Sequence, residues 1–147
     1  MMPDAESSPR LPPLGRRSDG VIMAPDGSEV RLLLTDDHGA NRCSVVEVTI
    51  GAGSVSRAVR HQTVEEAWYV IEGEGEVWRC PPGDAIDQAP AMTVCAGDAL
   101  IIPTGWAFQF RAKEDAALRF ICVTMPPWPG MDEAVEMEKG GRWPPTL

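Results

Sequence analysis

The sequence runs to 147 residues and carries 22 acidic against 13 basic side chains, a formal charge of -9, with four cysteines. A chain of about that length buries roughly 68–70% of its unfolded surface around one core, so one domain can fold without a disulfide or metal staple. The charge leaves no basic stripe for phosphates, no apolar run is long enough to span a bilayer, and the opening residues lack the apolar stretch of a signal peptide. Nucleic-acid and membrane partners are therefore set aside, and a cytoplasmic protein is expected.

Residues 1–18, with Pro3, Pro9, Pro12 and Pro13 among serines and arginines, are too polar and broken to bury a face, and a mobile or loosely docked arm is expected there. Beyond them the chain becomes short apolar runs divided by turn residues, and no stretch of helical period competes. Pro25-Asp26-Gly27 lies between residues 21–23 and 30–34 as a tight turn between two strands, and Asp36-Asp37-His38-Gly39 makes the next turn, with His38 solvated. Residues 44–50 alternate cleanly, with Val46, Val48 and Ile50 on one face and Val45, Glu47 and Thr49 on the other. A strand is expected over 55–61. Another hairpin is expected from 68–71 to 76–79, turning at residues 72–75. Residues 100–102 read as a strand stopped by Pro103, followed by strands at 107–111 and 118–125. Residues 131–138 fit either a helical turn or two or an extended strand.

The count of eight or more short strands points to an all-β domain, two packed sheets or a closed barrel, since both hide unpaired strand edges. Cys43, Cys80, Cys95 and Cys122 are widely spaced, form no CxxC pair, and are read as small buried apolar residues in or near strands.

Two segments carry the chemistry. RHQTVEEAWYVIEGEGEVWR, residues 60–79, and GDALIIPTGWAFQFR, residues 97–111, resemble the paired motifs of the cupin superfamily, and with TMPPWPG, residues 124–130, the chain is similar to small single-domain bacterial cupins of unassigned function. The resemblance covers roughly residues 30–125. It implies a double-stranded β-helix, or jelly-roll barrel, over residues 19–125, with a C-terminal extension over 126–147 packed on the barrel or on a partner subunit. It also implies a homodimer. In that superfamily two histidines and a glutamate of the first motif, and a third histidine of the second, hold a metal inside the barrel.

Glu66 stands seven residues before Gly73 and His61 five before Glu66, as that pattern requires, while Gly97, Pro103 and Gly105 match the second motif. The remaining histidines are replaced. The first would fall at Val59, or at Arg60 with Gln62 in the shorter register, and the third falls at Phe108. The resemblance thus implies a divalent Fe, Mn, Ni, Zn or Cu held by His61 and Glu66 with Gln62, Glu65 or Gln109 as a makeshift third ligand, against at least three protein ligands in an ordinary catalytic site. The alternative is an imidazole and a carboxyl hydrogen-bonded to each other without metal. Strand alternation puts Trp68 on the face of Glu66 and turns Glu65 to solvent. Trp106 follows Gly105 and is expected to rim the cavity mouth. Of Arg57 and Arg60, at most one is expected to look inward, where Arg57 would meet an acidic ligand.

Two principal functions remain. The first is a small-molecule-binding barrel with an incomplete metal site, in which Trp68, Trp106, Phe108, Phe110, Arg57 and Gln109 contact the ligand beside His61 and Glu66. The second is a metal-dependent dioxygenase, isomerase or cyclase in which His61 and Glu66 are catalytic. A third reading, an interaction domain acting through its surface, requires the barrel to be filled by side chains.

Overall fold

The computed structural model describes residues 11–17 and 20–147. Most of the expected arm, residues 1–10 and 18, lies outside the described residues. Within 11–17, Gly15 runs so close to Leu33 that an added Cβ would fall on the Leu33 carbonyl, and Arg17 Nε pairs with Glu47 Oε2 at 2.7 Å.

Eleven strands are described: β1 (Val21–Met23), β2 (Glu29–Leu34), β3 (Ser44–Ile50), β4 (Val59–His61), β5 (Glu65–Glu72), β6 (Glu74–Cys80), β7 (Ala91–Cys95), β8 (Ala99–Ile102), β9 (Ala107–Ala112), β10 (Leu118–Met125) and β11 (Ala134–Glu136). They pair antiparallel into a six-stranded sheet, β1-β2-β3-β10-β5-β8, and a five-stranded sheet, β11-β4-β9-β6-β7. This is the jelly-roll arrangement expected of the sequence. Two short 3-10 helices, at Asp36–His38 and Ile86–Gln88, complete the regular structure among the described residues, and no described helix is long and apolar enough to cross a membrane.

Period-two alternation decides which side chains enter. On β5 Glu66, Trp68 and Val70 are buried while Glu65, Tyr69 and Ile71 are exposed. On β10 Leu118, Phe120, Cys122 and Thr124 are buried. Register then stacks them, with Phe120 opposite Val70, Cys122 opposite Trp68 and Thr124 opposite Glu66. Each fully buried ring contributes about 1.5–3 kcal/mol through removal of apolar surface from water. The core between the sheets gathers Val46, Val48, Ile50, Val59, Trp68, Phe108, Phe110 and Phe120. A second cluster, Ala58, Trp78, Cys80, Ala89 and Ala107, lies apart from it, and Met137 and Trp143 of the C-terminal extension pack against it.

Several expectations are corrected. β5 and β6 do not form a hairpin: β5 pairs with β10 and β8, and β6 with β9 and β7. Gly73 carries the chain from one sheet to the other at φ +86°, where a Cβ would sit 1.9 Å from the Ala117 carbonyl oxygen, so close approach rather than a two-residue turn requires the glycine. The strand expected over 55–61 shortens to β4, with Val55 making one isolated bridge to Arg111. Strand β7 was not legible, because only Val94 of its five residues is buried and no alternation shows. Residues 131–138 take the extended alternative, as β11 pairs with β4. His38 is half-buried rather than solvated, and its Nδ1 accepts from the Thr35 backbone N–H. Glu47 is buried although it faces outward, because Arg17 covers it. Cys95 is exposed, against its expected burial, whereas Cys80 and Cys122 are buried.

Candidate functional site

The inward faces of β4, β5, β9 and β10, closed by β2 and β3, enclose a cavity of about 650 Å³. Its wall includes His61, Glu66, Trp68, Phe108, Phe110, Phe120, Cys122 and Trp128. A surface-acting domain would have this space filled by side chains. Among the described residues no lysine or arginine lines it.

The rings brace one another. Trp68 stacks on Phe120 with centroids 4.0 Å apart, and meets Phe110 and Phe108 edge to face at 5.2 and 5.7 Å. His61 is caught edge to face between Phe108 at 5.1 Å and Trp128 at 5.2 Å. Trp128 reaches that position because its backbone N–H donates to Ser44 Oγ, at the start of β3.

Glu66 Oε1 accepts the indole N–H of Trp68 at 2.9 Å. Its other oxygen, Oε2, lies 3.8 Å from His61 Nδ1, too far for a hydrogen bond. Nδ1 is buried with no hydrogen-bond partner. Loss of hydration pushes His61 down to about 4, against the pull of Glu133. The same loss pushes Glu66 up to about 7, with Asp26 and Glu133 adding to it and bonds from Trp68 and Cys122 opposing it. Between about pH 4 and 7 the two are an uncharged imidazole and a carboxylic acid, not an ion pair. Burial likewise raises the Cys122 thiol well above its ordinary range, so it is no activated thiolate. Asp26 is raised by burial too, against bonds from the Ser28 side chain and N–H and the charge of Arg57. Burial also acts to raise Glu133, but the N–H groups of Thr63 and Val64 and the Thr63 hydroxyl outweigh it and leave this carboxyl lowered.

The structure brings His61, Glu66, Trp68, Phe108 and Phe110 to one wall, and it sends six other candidates elsewhere. Gln109 follows Phe108 on β9 and alternation turns it away from the cavity, where it bonds Trp78, Ser56 and Trp143. Gln62 points out of the barrel, and its amide donates to the Asp132 carbonyl at 2.8 Å. Arg57 is exposed, with Nε donating to the Leu147 carbonyl, and Arg60, flanked on β4 by the inward Val59 and His61, is also absent from the wall. Trp106 is half-buried in the loop before β9 and does not reach the wall. Glu65 is exposed, as alternation requires.

Sequence reasoning missed four groups. Trp128 stands among prolines that give no strand register. Asp26 was assigned to turn chemistry, which it performs through Ser28 while also lining the cavity. Cys122 enters by the alternation of β10, a signal available once Glu66 is fixed inward. Nothing in the sequence pairs Glu133 with residues 63 and 64.

The metal implied by the resemblance can be tested on the donors present. His61 and Glu66 face the cavity, but the third histidine position holds the Phe108 ring, while Gln62, Glu65 and Gln109 point elsewhere. Among the described residues no group of three or more His, Cys, Asp or Glu could hold a metal ion. Two donors do not fit an ion that takes three or more protein ligands.

The family model described as the cupin domain matches residues 45–124. The uncharacterized protein MJ1618 of Methanocaldococcus jannaschii is 25% identical over 114 residues, 77% of this chain and 85% of that protein. Among solved structures, oxalate decarboxylase from Bacillus subtilis superposes with a TM-score of 0.72 at 16% identity, over 90% of this chain and 34% of its own, so this chain spans about a third of that protein. Ectoine synthase from P. lautus superposes with a TM-score of 0.62 at 23% identity, over 82% of this chain and 84% of its own. The motif residues, the two facing antiparallel sheets and the family match agree: the chain belongs to the cupin family.

Proposed function

We propose that this cupin binds a small, largely apolar organic molecule inside its barrel, without a metal. One observation carries the reading: an aromatic-walled cavity of about 650 Å³ in which His61 faces Glu66 and which, among the described residues, no lysine or arginine lines. That volume lies in the range of small-molecule sites, roughly 300–1,000 Å³, which combine apolar walls with a few orienting polar groups. The neighbouring oxalate decarboxylase is named for a small dianion. A dianion entering this cavity would meet Glu66 and Asp26 and no cation to receive it, which supports a different ligand class here.

A second reading, a metal-dependent enzyme using His61 and Glu66, keeps one observation in its favour, the approach of these two side chains to 3.8 Å. Two measurements separate the readings. The neutral dye Nile red should brighten on binding the wild type and fail to do so with Val46→Trp, which fills the cavity, in samples whose circular dichroism is equal. Protein purified without a histidine tag should carry metal far below one ion per chain. Stoichiometric metal in the wild type, lost from both His61→Ala and Glu66→Ala, would overturn the proposal and install the enzyme reading.

A further inference from the structure

Resting on that reading, the geometry of the polar pair identifies what the ligand must present. We propose that the ligand is an uncharged molecule carrying a hydroxyl group on a flat apolar ring, and that the hydroxyl docks in the gap between His61 Nδ1 and Glu66 Oε2. The two atoms are 3.8 Å apart. An oxygen between them can lie about 2.8 Å from each, an ordinary length for a hydroxyl hydrogen bond. Glu66 Oε1 accepts the Trp68 indole N–H, Oε2 is the oxygen turned toward His61, and Nδ1 is buried without a partner. Buried polar atoms are almost always bonded, and one that is not marks a place for a missing partner.

The choice of a hydroxyl follows from the donors and acceptors available. Neutral imidazole offers Nδ1 as a donor or an acceptor according to its tautomer, and a carboxyl offers Oε2 as a donor when protonated there and an acceptor otherwise. A carbonyl oxygen only accepts and cannot meet two acceptors. A hydroxyl donates once and accepts twice, and so complements every arrangement except two converging acceptors, of which it can satisfy only one. Charge is disfavoured on both sides. Among the described residues no lysine or arginine lines the cavity to receive an anion, and its largely apolar, aromatic wall would strip a cation of its hydration without replacing it. The flat ring follows from the walls, where Trp68, Phe108, Phe110, Phe120 and Trp128 leave aromatic surface around the pair.

Calorimetric titration of the full chain at about pH 6 tests this with four probes of one ring system: 2-naphthol, 2-methoxynaphthalene, 2-naphthoate and 2-naphthylmethylammonium. The naphthol should bind about tenfold tighter than its methyl ether, which cannot donate, and both ions should bind more weakly than the ether. In His61→Leu, shown to be folded by circular dichroism, the preference for naphthol over the ether should fall below about twofold. Should the ether match the naphthol in the wild type, the hydroxyl inference is overturned while Nile red binding still upholds the apolar cavity. Tightest binding of the ammonium or the naphthoate also overturns it, in favour of a charged ligand. If none of the four binds while Nile red does, the inference fails alone. If Nile red fails as well, the proposed function falls with it.

Discussion

Two strands of the same sheet treat a buried polar side chain in opposite ways. Gln109 on β9 has no exposed surface, and each of its four hydrogen-bond positions is used: Oε1 accepts from Trp78 Nε1 at 2.9 Å and from the Trp143 N–H at 3.2 Å, and Nε2 donates to the Ser56 and Trp143 carbonyls at 2.8 Å each. His61 on β4 is 4% exposed, and its Nδ1 has no partner. The glutamine faces the outer cluster and ties the C-terminal extension to the barrel. The histidine faces the cavity. A buried group whose every bond is met within the chain holds the fold, whereas a buried group with a bond left over is free to serve a ligand.

The sharpest way to break this comparison is to empty each side in turn. Gln109→Met keeps an unbranched side chain of similar length but leaves the Trp78 indole N–H, the Trp143 N–H and two carbonyls without partners. At about 1–3 kcal/mol for each unmet buried group, partly relieved by relaxation, the loss should be about 4 kcal/mol, read as a fall in the urea midpoint. A loss below about 1 kcal/mol would show that this network does not hold the extension. Glu66→Gln, which keeps an acceptor for the Trp68 indole, should stay within about 1 kcal/mol of the wild type at about pH 4.5, where the carboxyl it replaces is protonated in the fold.

The cavity pair should reveal itself next through pH. Glu66 folds with its proton held more tightly than in the unfolded chain, about 7 against 4.5, so its contribution is fully present below about 4.5 and is lost as pH rises through 7. His61 is the reverse, about 4 against 6.5, so its contribution is present above about 6.5 and is lost as pH falls through 4. Between about 4.5 and 6.5 the folded protein holds one extra proton on Glu66 and lacks one on His61, and the two slopes cancel. Removing one partner uncovers the other. Taken on its own curve, His61→Leu should lose about 3 kcal/mol of stability from pH 4.5 to 7, and Glu66→Gln should gain about as much from pH 4 to 6.5. Unfolding curves at several pH values that move in the same direction for both variants would break the assignment.

The barrel was legible because its signals are local and repeat. Alternation at 44–50 and 118–125, glycine at 73 and proline at 103 each constrain the backbone without reference to distant residues. The same alternation fixed Glu66 and Trp68 inward together. It failed where pairing is not between sequence neighbours: the step from β5 to β6 looks like a hairpin in one dimension, and only the partners β8, β10, β7 and β9 reveal two sheets. Gln109 and His61 are both single polar residues among apolar ones on a strand. What separates them is how many partners the fold supplies, and those partners, Trp78, Ser56 and Trp143, are 31, 53 and 34 residues away from Gln109. Trp128 escaped for a similar reason, since its place beside His61 depends on a hydrogen bond to Ser44, 84 residues earlier.

The smallest expected effect sharpens the comparison most, because its sign differs between the two faces. Replacing a buried group that is fully bonded destabilises, whereas replacing one with an unmet bond by an apolar side chain of similar size removes a penalty already present. At pH 7 His61 is uncharged and its Nδ1 unmet, so His61→Leu should raise the stability of the ligand-free protein by about 1 kcal/mol, with a higher melting temperature. The same substitution should abolish the preference for a hydroxylated ring. A residue that weakens the empty fold while improving recognition is what a binding site requires, and residues kept for function commonly carry such a penalty. If His61→Leu instead lowers stability as Gln109→Met does, the histidine belongs to the scaffold and the distinction between the two strands disappears.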